Sequence, residues 1–127
     1  MWVLPSRNVT ALLKSEGMWT EVEPTIIVFT DENGAPTDAC AQIGGNNLPH
    51  RGGKCSIWEG GTKGISIVSS PLLTKTNVTY HGLAHAVDWL PTLVAGALGG
   101  STASTKPLDG HDLWAALLVK TDRNPPS

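Results

Sequence analysis

Two short segments of this sequence carry side chains that could hold a charged ester. Asp31, Glu32 and Asn33 are consecutive, and carboxylate and amide oxygens are the ligands that hard cations such as calcium and magnesium prefer. Residues 51–64 hold five glycines and three cations, among them Lys54, so this segment offers positive charge for an anion. The two segments together predict a site for a cation and an anionic group.

The acidic cluster directly follows an apolar run of β-branched residues at positions 25–30. Such a run predicts a strand buried on both faces, as in a parallel sheet. Ligands collect at the carboxyl ends of strands in open α/β sheets, which favours a cation site at Asp31, Glu32 and Asn33. The alternative is an ordinary polar turn, because Asp, Asn and Gly also favour turns.

The glycine-rich segment predicts an anion-binding loop. Glycines allow backbone N–H groups to converge on an oxyanion, and Lys54 would add a point charge. Arg51 lies in the same loop, and His50 before it could donate a hydrogen bond or act as an acid. The alternative for Lys54 and Arg51 is a solvated basic loop without a ligand, and the alternative for His50 is an ordinary surface histidine.

The remaining pattern predicts an α/β protein. A helix is expected over residues 9–16, capped by Asn8 and ended by Gly17. A long loop (residues 37–59) precedes a second strand at 65–69. Asp88 is expected to cap a helix over 89–98, and a last short helix is expected over 113–120. The order helix, strand, loop, strand, helix, helix is typical of an α/β sandwich element.

Length and composition limit the function classes. A chain of 127 residues forms at most one domain. A net charge of −2 with 16% charged residues disfavours a nucleic-acid surface. No run approaches the ~18 apolar residues of a membrane span. The first residues become charged too soon for a signal peptide, so we expect none in this chain.

Two sequons and two cysteines bear on export. Asn8 and Asn77 each begin an Asn-x-Thr pattern and are candidate glycosylation sites. Fourteen residues separate Cys40 from Cys55. They are either free thiols or a loop-closing disulfide that would contribute about 3 kcal/mol; metal binding by this pair is the least favoured interpretation.

Four segments together resemble the sulfatase family, in its arylsulfatase B-like branch of N-acetylgalactosamine sulfatase-like proteins. Residues 25–34 resemble the family's strand followed by Asp-Asn-Gly. Residues 44–61 are similar to its Asn-x-Pro-x-Arg-Gly-x-Lys-x-Ser-x-Trp-Glu-Gly-Gly signature. Residues 88–93 resemble its Asp-Trp-Leu-Pro-Thr helix start, and residues 107–113 its Leu-Asp-Gly-x-Asp segment. The resemblance is strongest over 8–119, with a tail at 120–127, and identifies residues 1–127 as a partial catalytic domain.

The resemblance implies an alkaline-phosphatase-like α/β sandwich, present here as a central-to-C-terminal fragment. It implies hydrolysis of sulfate esters, of small molecules or of sulfated glycans, in a lysosomal or secreted protein. By resemblance, Asn33 is a ligand of Ca²⁺ and Lys54 binds the sulfate. The family has Asp directly before Asn, whereas this chain has Asp31-Glu32-Asn33. We favour Asp31 as the second ligand, because residues two apart in a strand share a face; Glu32 is the alternative if the backbone has already turned.

The family's nucleophile, a formylglycine made in a Cys/Ser-x-Pro-x-Arg motif, has no match here. Neither Cys40 nor Cys55 lies in that motif, and Val3 stands where the Cys or Ser would be, two residues before Pro5. We therefore expect a sulfuric-ester hydrolase lineage whose chain is inactive alone. The alternative is a non-catalytic, sulfatase-like fragment or pseudoenzyme that retains calcium or anion binding. A phosphodiesterase of the same superfamily is disfavoured by the block at 51–61.

Overall fold

The computed structural model describes residues 3–37 and 44–118. The chain divides between Ser70 and Pro71 into two compact units. The first unit contains helix α1 (Val3–Ser15), strand β1 (Ile27–Thr30), helix α2 (Glu59–Thr62) and strand β2 (Ser66–Ser69).

Helix α1 begins earlier than the sequence predicted. It spans Val3–Ser15, so Asn8 lies inside the helix and is not its N-terminal cap. The predicted stop is confirmed: Gly17 has a φ of 73°. The N–H of Met18 donates to the carbonyl of Leu13 at 2.9 Å, and the Gly17 N–H donates to Lys14 at 3.3 Å. This double hydrogen bond is the usual glycine-dependent ending of a helix.

The two predicted strands form, but their pairing differs from the expectation. Strand β1 pairs antiparallel with β2, with Phe29 opposite Ile67, so the parallel sheet inferred from the apolar run at 25–30 is wrong. The run is not buried on both faces either, since Phe29 is 43% exposed and Thr30 is exposed as well. The described residues contain this one two-stranded sheet. The chain is an α/β protein, and the sandwich implied by the resemblance stays a prediction.

The buried backbone of the first unit consists largely of glycine. Gly34, Gly53, Gly60 and Gly61 are all buried. The backbone around Gly34 therefore packs directly against the backbone of residues 53–61, which are remote from it in the sequence.

The second unit is built around a buried carboxylate. A 3₁₀ turn (Ala86–Asp88) runs into helix α3 (Trp89–Pro91), which continues as a π-helical segment (Thr92–Ala97). Asp88 occupies the N-cap position of α3, as the sequence predicted, but its side chain makes no capping hydrogen bond to that helix. Asp88 instead accepts from the N–H of His85 at 2.7 Å and from that of His111 at 2.8 Å.

These bonds join the helix to the chain segment that leads into helix α4 (Trp114–Leu118). The backbone hydrogen bonds from His111 and His85 hold the pKa of Asp88 below its ordinary value. Thr92, 1% exposed, adds a bond from the N–H of Leu113 at 2.9 Å. Trp114 is buried, as expected for a core tryptophan. The far end of the helix expected over 113–120 lies outside the described residues.

No helix within the described ranges has both the length and the apolar character that a bilayer crossing requires.

Candidate functional site

One open cleft in the first unit brings the two chemistry-bearing segments together. It has a volume of about 530 Å³. One wall is the continuous segment 31–36, called the acidic segment here because it begins with two carboxylates, and the other is a lysine. The lining residues are Asp31, Glu32, Asn33, Gly34, Ala35, Pro36 and Lys54. The residues that the sequence predicted as cation ligands therefore face the same cavity as the residue predicted to bind an anion.

Backbone hydrogen bonds fix the distance between the two walls. The N–H of Lys54 donates to the carbonyl of Ala35 at 3.1 Å, and the N–H of Gly34 donates to that of Gly61 at 3.0 Å. A Cβ atom on Gly34 would collide with the carbonyl oxygen of Gly60. Glycine is therefore required at position 34 because the loop around Lys54 lies directly against the acidic segment.

The side chain of Asn47 joins the same two segments. Its Oδ1 accepts from the N–H of Ala35 at 2.9 Å. Its Nδ2 donates to the carbonyl of Ala35 at 2.8 Å and to that of Gly52 at 3.1 Å. The amide is half-buried, with hydrogen bonds at both of its ends.

The acidic cluster no longer belongs to the strand. Strand β1 ends at Thr30, although the N–H of Asp31 still donates to the carbonyl of Ile65 at 2.9 Å. The alternation argument that favoured Asp31 over Glu32 therefore loses its basis. Both carboxylates line the cleft, and Glu32 Oε1 accepts from Asn33 Nδ2 at 2.9 Å.

This donor set suits part of a calcium site. The amide nitrogen of Asn33 donates a hydrogen bond to Glu32, which leaves the amide oxygen of Asn33 available as a ligand of a cation. Calcium takes six to eight oxygen ligands, so this cluster would have to be completed by water or by other groups. Within residues 3–37 and 44–118, no three His, Cys, Asp or Glu side chains form a cluster that could hold a metal.

The glycine-rich loop does not form the predicted backbone cradle for an anion. Six of its N–H groups donate instead to carbonyl oxygens within the unit: those of Lys54, Ser56, Gly60, Gly61, Thr62 and Lys63. The glycines serve close backbone packing. Among the described residues that line the cleft, Lys54 is the one cation, and its ammonium group is the candidate for anion binding.

His50 and Arg51 are engaged beside the cleft and are not among its lining residues. His50 Nδ1 lies 2.8 Å from Glu59 Oε2. The guanidinium carbon of Arg51 lies 4.1 Å from the centre of the Trp58 ring, a cation–π distance. Substrate binding by these two residues stays a prediction.

The structure describes one of the two cysteines and the asparagines of both glycosylation sequons. Cys55 is disulfide-bonded, whereas Cys40 lies outside the described residues, so the pairing of the two stays a prediction. Asn8 and Asn77 are both exposed, Asn8 on a helix and Asn77 at a φ of 56°. Both are accessible to glycosylation, which also stays a prediction.

Sequence reasoning did not assign a role to Asn47, although it lies inside the signature block. The signal that could have found it is the residue type, because asparagine readily bonds neighbouring backbone groups in loops. Ala35 was also missed, since its contribution is made through its backbone.

No protein-family model matches this chain. Individual relatives do match. Arylsulfatase J of Mus musculus is 37% identical over 110 residues, covering 87% of this chain and 17% of the relative. Arylsulfatase A of Homo sapiens is 35% identical over 117 residues, covering 92% of this chain and 22% of the relative.

N-acetylgalactosamine-6-sulfatase of Canis lupus familiaris is 32% identical over 96 residues, covering 76% of this chain and 18% of the relative. The chain thus spans about a fifth of the length of these curated relatives, while they match most of its own length. Sulfatases are thus homologues of this chain over most of its length, and the chain matches part of a sulfatase domain.

Proposed function

We propose that this chain contributes one wall of a site that hydrolyses sulfate esters. In this proposal Lys54 binds the sulfate group, and Asp31, Glu32 and Asn33 hold a calcium ion. The observation that supports it is the shared cleft, which all four residues line. Because the chain spans about a fifth of its relatives, the activity of the whole protein is part of this proposal. So are its substrates, sulfated small molecules or glycans, and its lysosomal or secreted location.

The charges of the cleft explain why a cation and sulfate would bind together. Two carboxylates face one ammonium group, so these side chains alone give the cleft an excess of one negative charge, which repels an anion. A bound calcium ion would reverse that sign and supply positive charge to the sulfate oxygens. Fixed charge of this kind often contributes more to catalysis than any other single effect. Lys54 would then neutralise the charge that develops on the sulfate group.

No cysteine of this chain lies in the motif from which the family's formylglycine nucleophile is made. Neither Cys40 nor Cys55 lies in a Cys-x-Pro-x-Arg motif, and Cys55 is already held in a disulfide. Without a covalent nucleophile, at most a residual electrostatic contribution to catalysis remains. We therefore expect the 127-residue chain to bind sulfate in the presence of calcium without turning over an aryl sulfate.

Calorimetric titration of the full chain with sulfate, at saturating calcium, tests the binding roles. Lys54→Ala should weaken sulfate binding by about tenfold, the loss of one charge-assisted contact. Lys63→Ala removes an exposed lysine that does not line the cleft and should leave the affinity unchanged. Equal affinities for the wild type and Lys54→Ala would overturn the role of Lys54.

An aryl-sulfate assay tests the expected inactivity. Multiple turnovers by the purified chain, abolished in Lys54→Ala, would contradict it.

The second candidate function is a non-catalytic protein that binds calcium and an anion. The lack of a Cys/Ser-x-Pro-x-Arg motif in these 127 residues favours it. Both candidates give the same binding result for this chain. They differ for any longer protein that contains this segment, which turns over aryl sulfates in the first case and does not in the second.

A further inference from the structure

We propose that Asn47 is the positioning residue that holds Lys54 at the acidic wall of the cleft. This inference rests on the proposed binding of sulfate by Lys54. It starts from a convergence at Ala35, whose carbonyl oxygen accepts from Asn47 Nδ2 at 2.8 Å and from the Lys54 N–H at 3.1 Å. The Asn47 amide and the Lys54 backbone are thereby attached to the same atom of the acidic segment.

The amide of Asn47 reaches both sides of the cleft. On the acidic side it bonds both backbone polar groups of Ala35, a residue of the cleft wall. On the other side Nδ2 donates to the carbonyl of Gly52, two residues before Lys54, at 3.1 Å. One planar group therefore links the two walls, in addition to the backbone hydrogen bonds between them.

An amide is needed here because the site requires an acceptor and two donations from one side chain. Aspartate has the same shape but cannot donate, and its charge would face two carbonyl oxygens. Alanine would leave the backbone groups of Ala35 and Gly52 without this partner in a half-buried position.

The neighbouring asparagine provides a matched control. Asn46 is exposed, and its Oδ1 accepts a local bond from the N–H of Leu48 at 3.0 Å. Asn46→Ala therefore removes the same chemical group one position away without touching the link between Ala35 and Gly52.

Hydrogen exchange of the Lys54 backbone amide tests the positioning directly and needs no ligand. Asn47→Ala and Asn47→Asp should accelerate this exchange by at least about fivefold, the equivalent of one lost hydrogen bond. Asn46→Ala should leave the exchange rate unchanged. An unchanged Lys54 exchange rate in both Asn47 variants would overturn the proposal, whatever the chain binds.

A double-mutant cycle on sulfate affinity, at saturating calcium, separates positioning from general destabilisation. Asn47→Ala should weaken sulfate binding at least about fivefold when Lys54 is present and should have no further effect in the Lys54→Ala background. Gly17→Ala, which strains the end of α1 without touching the cleft, should leave the affinity unchanged. Additive effects of Asn47→Ala and Lys54→Ala would overturn the positioning role. If Lys54→Ala alone has no effect, the proposed function fails, and the exchange experiment still decides the role of Asn47.

Discussion

The backbone nitrogen of Lys54 donates to the carbonyl oxygen of Ala35 at 3.1 Å. This bond brings the loop that carries the lysine against the segment that carries Asp31 and Glu32. The lysine is therefore held at the cleft by its own backbone and does not depend on a long side chain reaching across. The arrangement requires backbones that can approach closely, which is why glycines lie on both sides of the contact.

Replacing Gly34 by alanine tests this close approach. The new Cβ would collide with the carbonyl oxygen of Gly60, and neither backbone can move without breaking the bond from Gly34 to Gly61. We expect Gly34→Ala to lower the free energy of unfolding by about 3 kcal/mol, the upper range for overpacking. Urea unfolding of the full chain measures the loss.

Gly17→Ala is the matched control. A Cβ at position 17 meets open space, whereas the backbone of the new alanine must keep a φ of 73°. Its cost should be backbone strain alone, about 1–2 kcal/mol. A Gly34→Ala variant that is less destabilised than Gly17→Ala would contradict the packing described here.

The sequence was sufficient to identify the components of the candidate site. The acidic cluster stands out because it ends an apolar strand, and Lys54 stands out because glycines surround it. Their convergence on one cleft was the central expectation, and the shared cavity agrees with it. The left-handed glycine that ends α1 was also predictable, since its position after an amphipathic run is typical.

The sequence could not reveal how the components are joined. The run at 25–30 indicated a fully buried parallel strand, but strand direction depends on a partner that composition does not specify, and β1 pairs antiparallel. Asp88 has a favourable residue type for a helix cap and lies at the cap position. Its carboxylate nevertheless accepts hydrogen bonds from the backbone N–H groups of His85 and of the remote His111. Long-range hydrogen bonds of this kind leave no local pattern.

The stability of the second unit should fall in acid because of Asp88. Hydrogen bonds from the N–H groups of His111 and His85 hold its pKa below the ordinary value of 3.8. Because the pKa is lowered on folding, the ionised form contributes stability that is present above about pH 4 and is lost as pH falls through the folded-state pKa.

Asp88→Asn removes that ionisation and keeps one acceptor oxygen. We expect a loss of about 1–3 kcal/mol at neutral pH from the donor that is left unpaired, together with a flatter pH dependence below pH 4. Thermal unfolding monitored across this pH range measures both effects. An Asp88→Asn variant with the same acid sensitivity as the wild type would show that other groups cause it.

The contact between Arg51 and Trp58 should carry a measurable coupling energy. The guanidinium lies 4.1 Å from the ring centre at an exposed site, where cation–π pairs contribute about 0.5–1 kcal/mol. A double-mutant cycle of Arg51→Ala and Trp58→Leu, measured by urea unfolding, should give a coupling of this size. The pair Lys14→Ala and Trp58→Leu should give none, and equal couplings in the two cycles would rule out a specific contact.

The disulfide of Cys55 should stabilise the loop that precedes Lys54. If its partner is Cys40, as we predict, closing a loop of about this length contributes about 3 kcal/mol. Non-reducing peptide mapping should recover the two cysteines in one linked pair, and a reductant should lower the urea midpoint of the wild type only. A variant with both cysteines changed to serine should not respond to the reductant. A Cys55 linked to a second chain would disprove the pairing.

The most direct test of the central claim is the linkage between calcium and sulfate binding in the full chain. If the acidic cluster and Lys54 face one ligand site, calcium removes the negative excess of the cleft and should tighten sulfate binding by about 5–150-fold, the usual range for coupled sites. Sulfate should tighten calcium binding by the same factor, and potassium at equal ionic strength should have no such effect. Independent binding of the two ions, with the sulfate affinity unchanged by saturating calcium, would contradict a shared site.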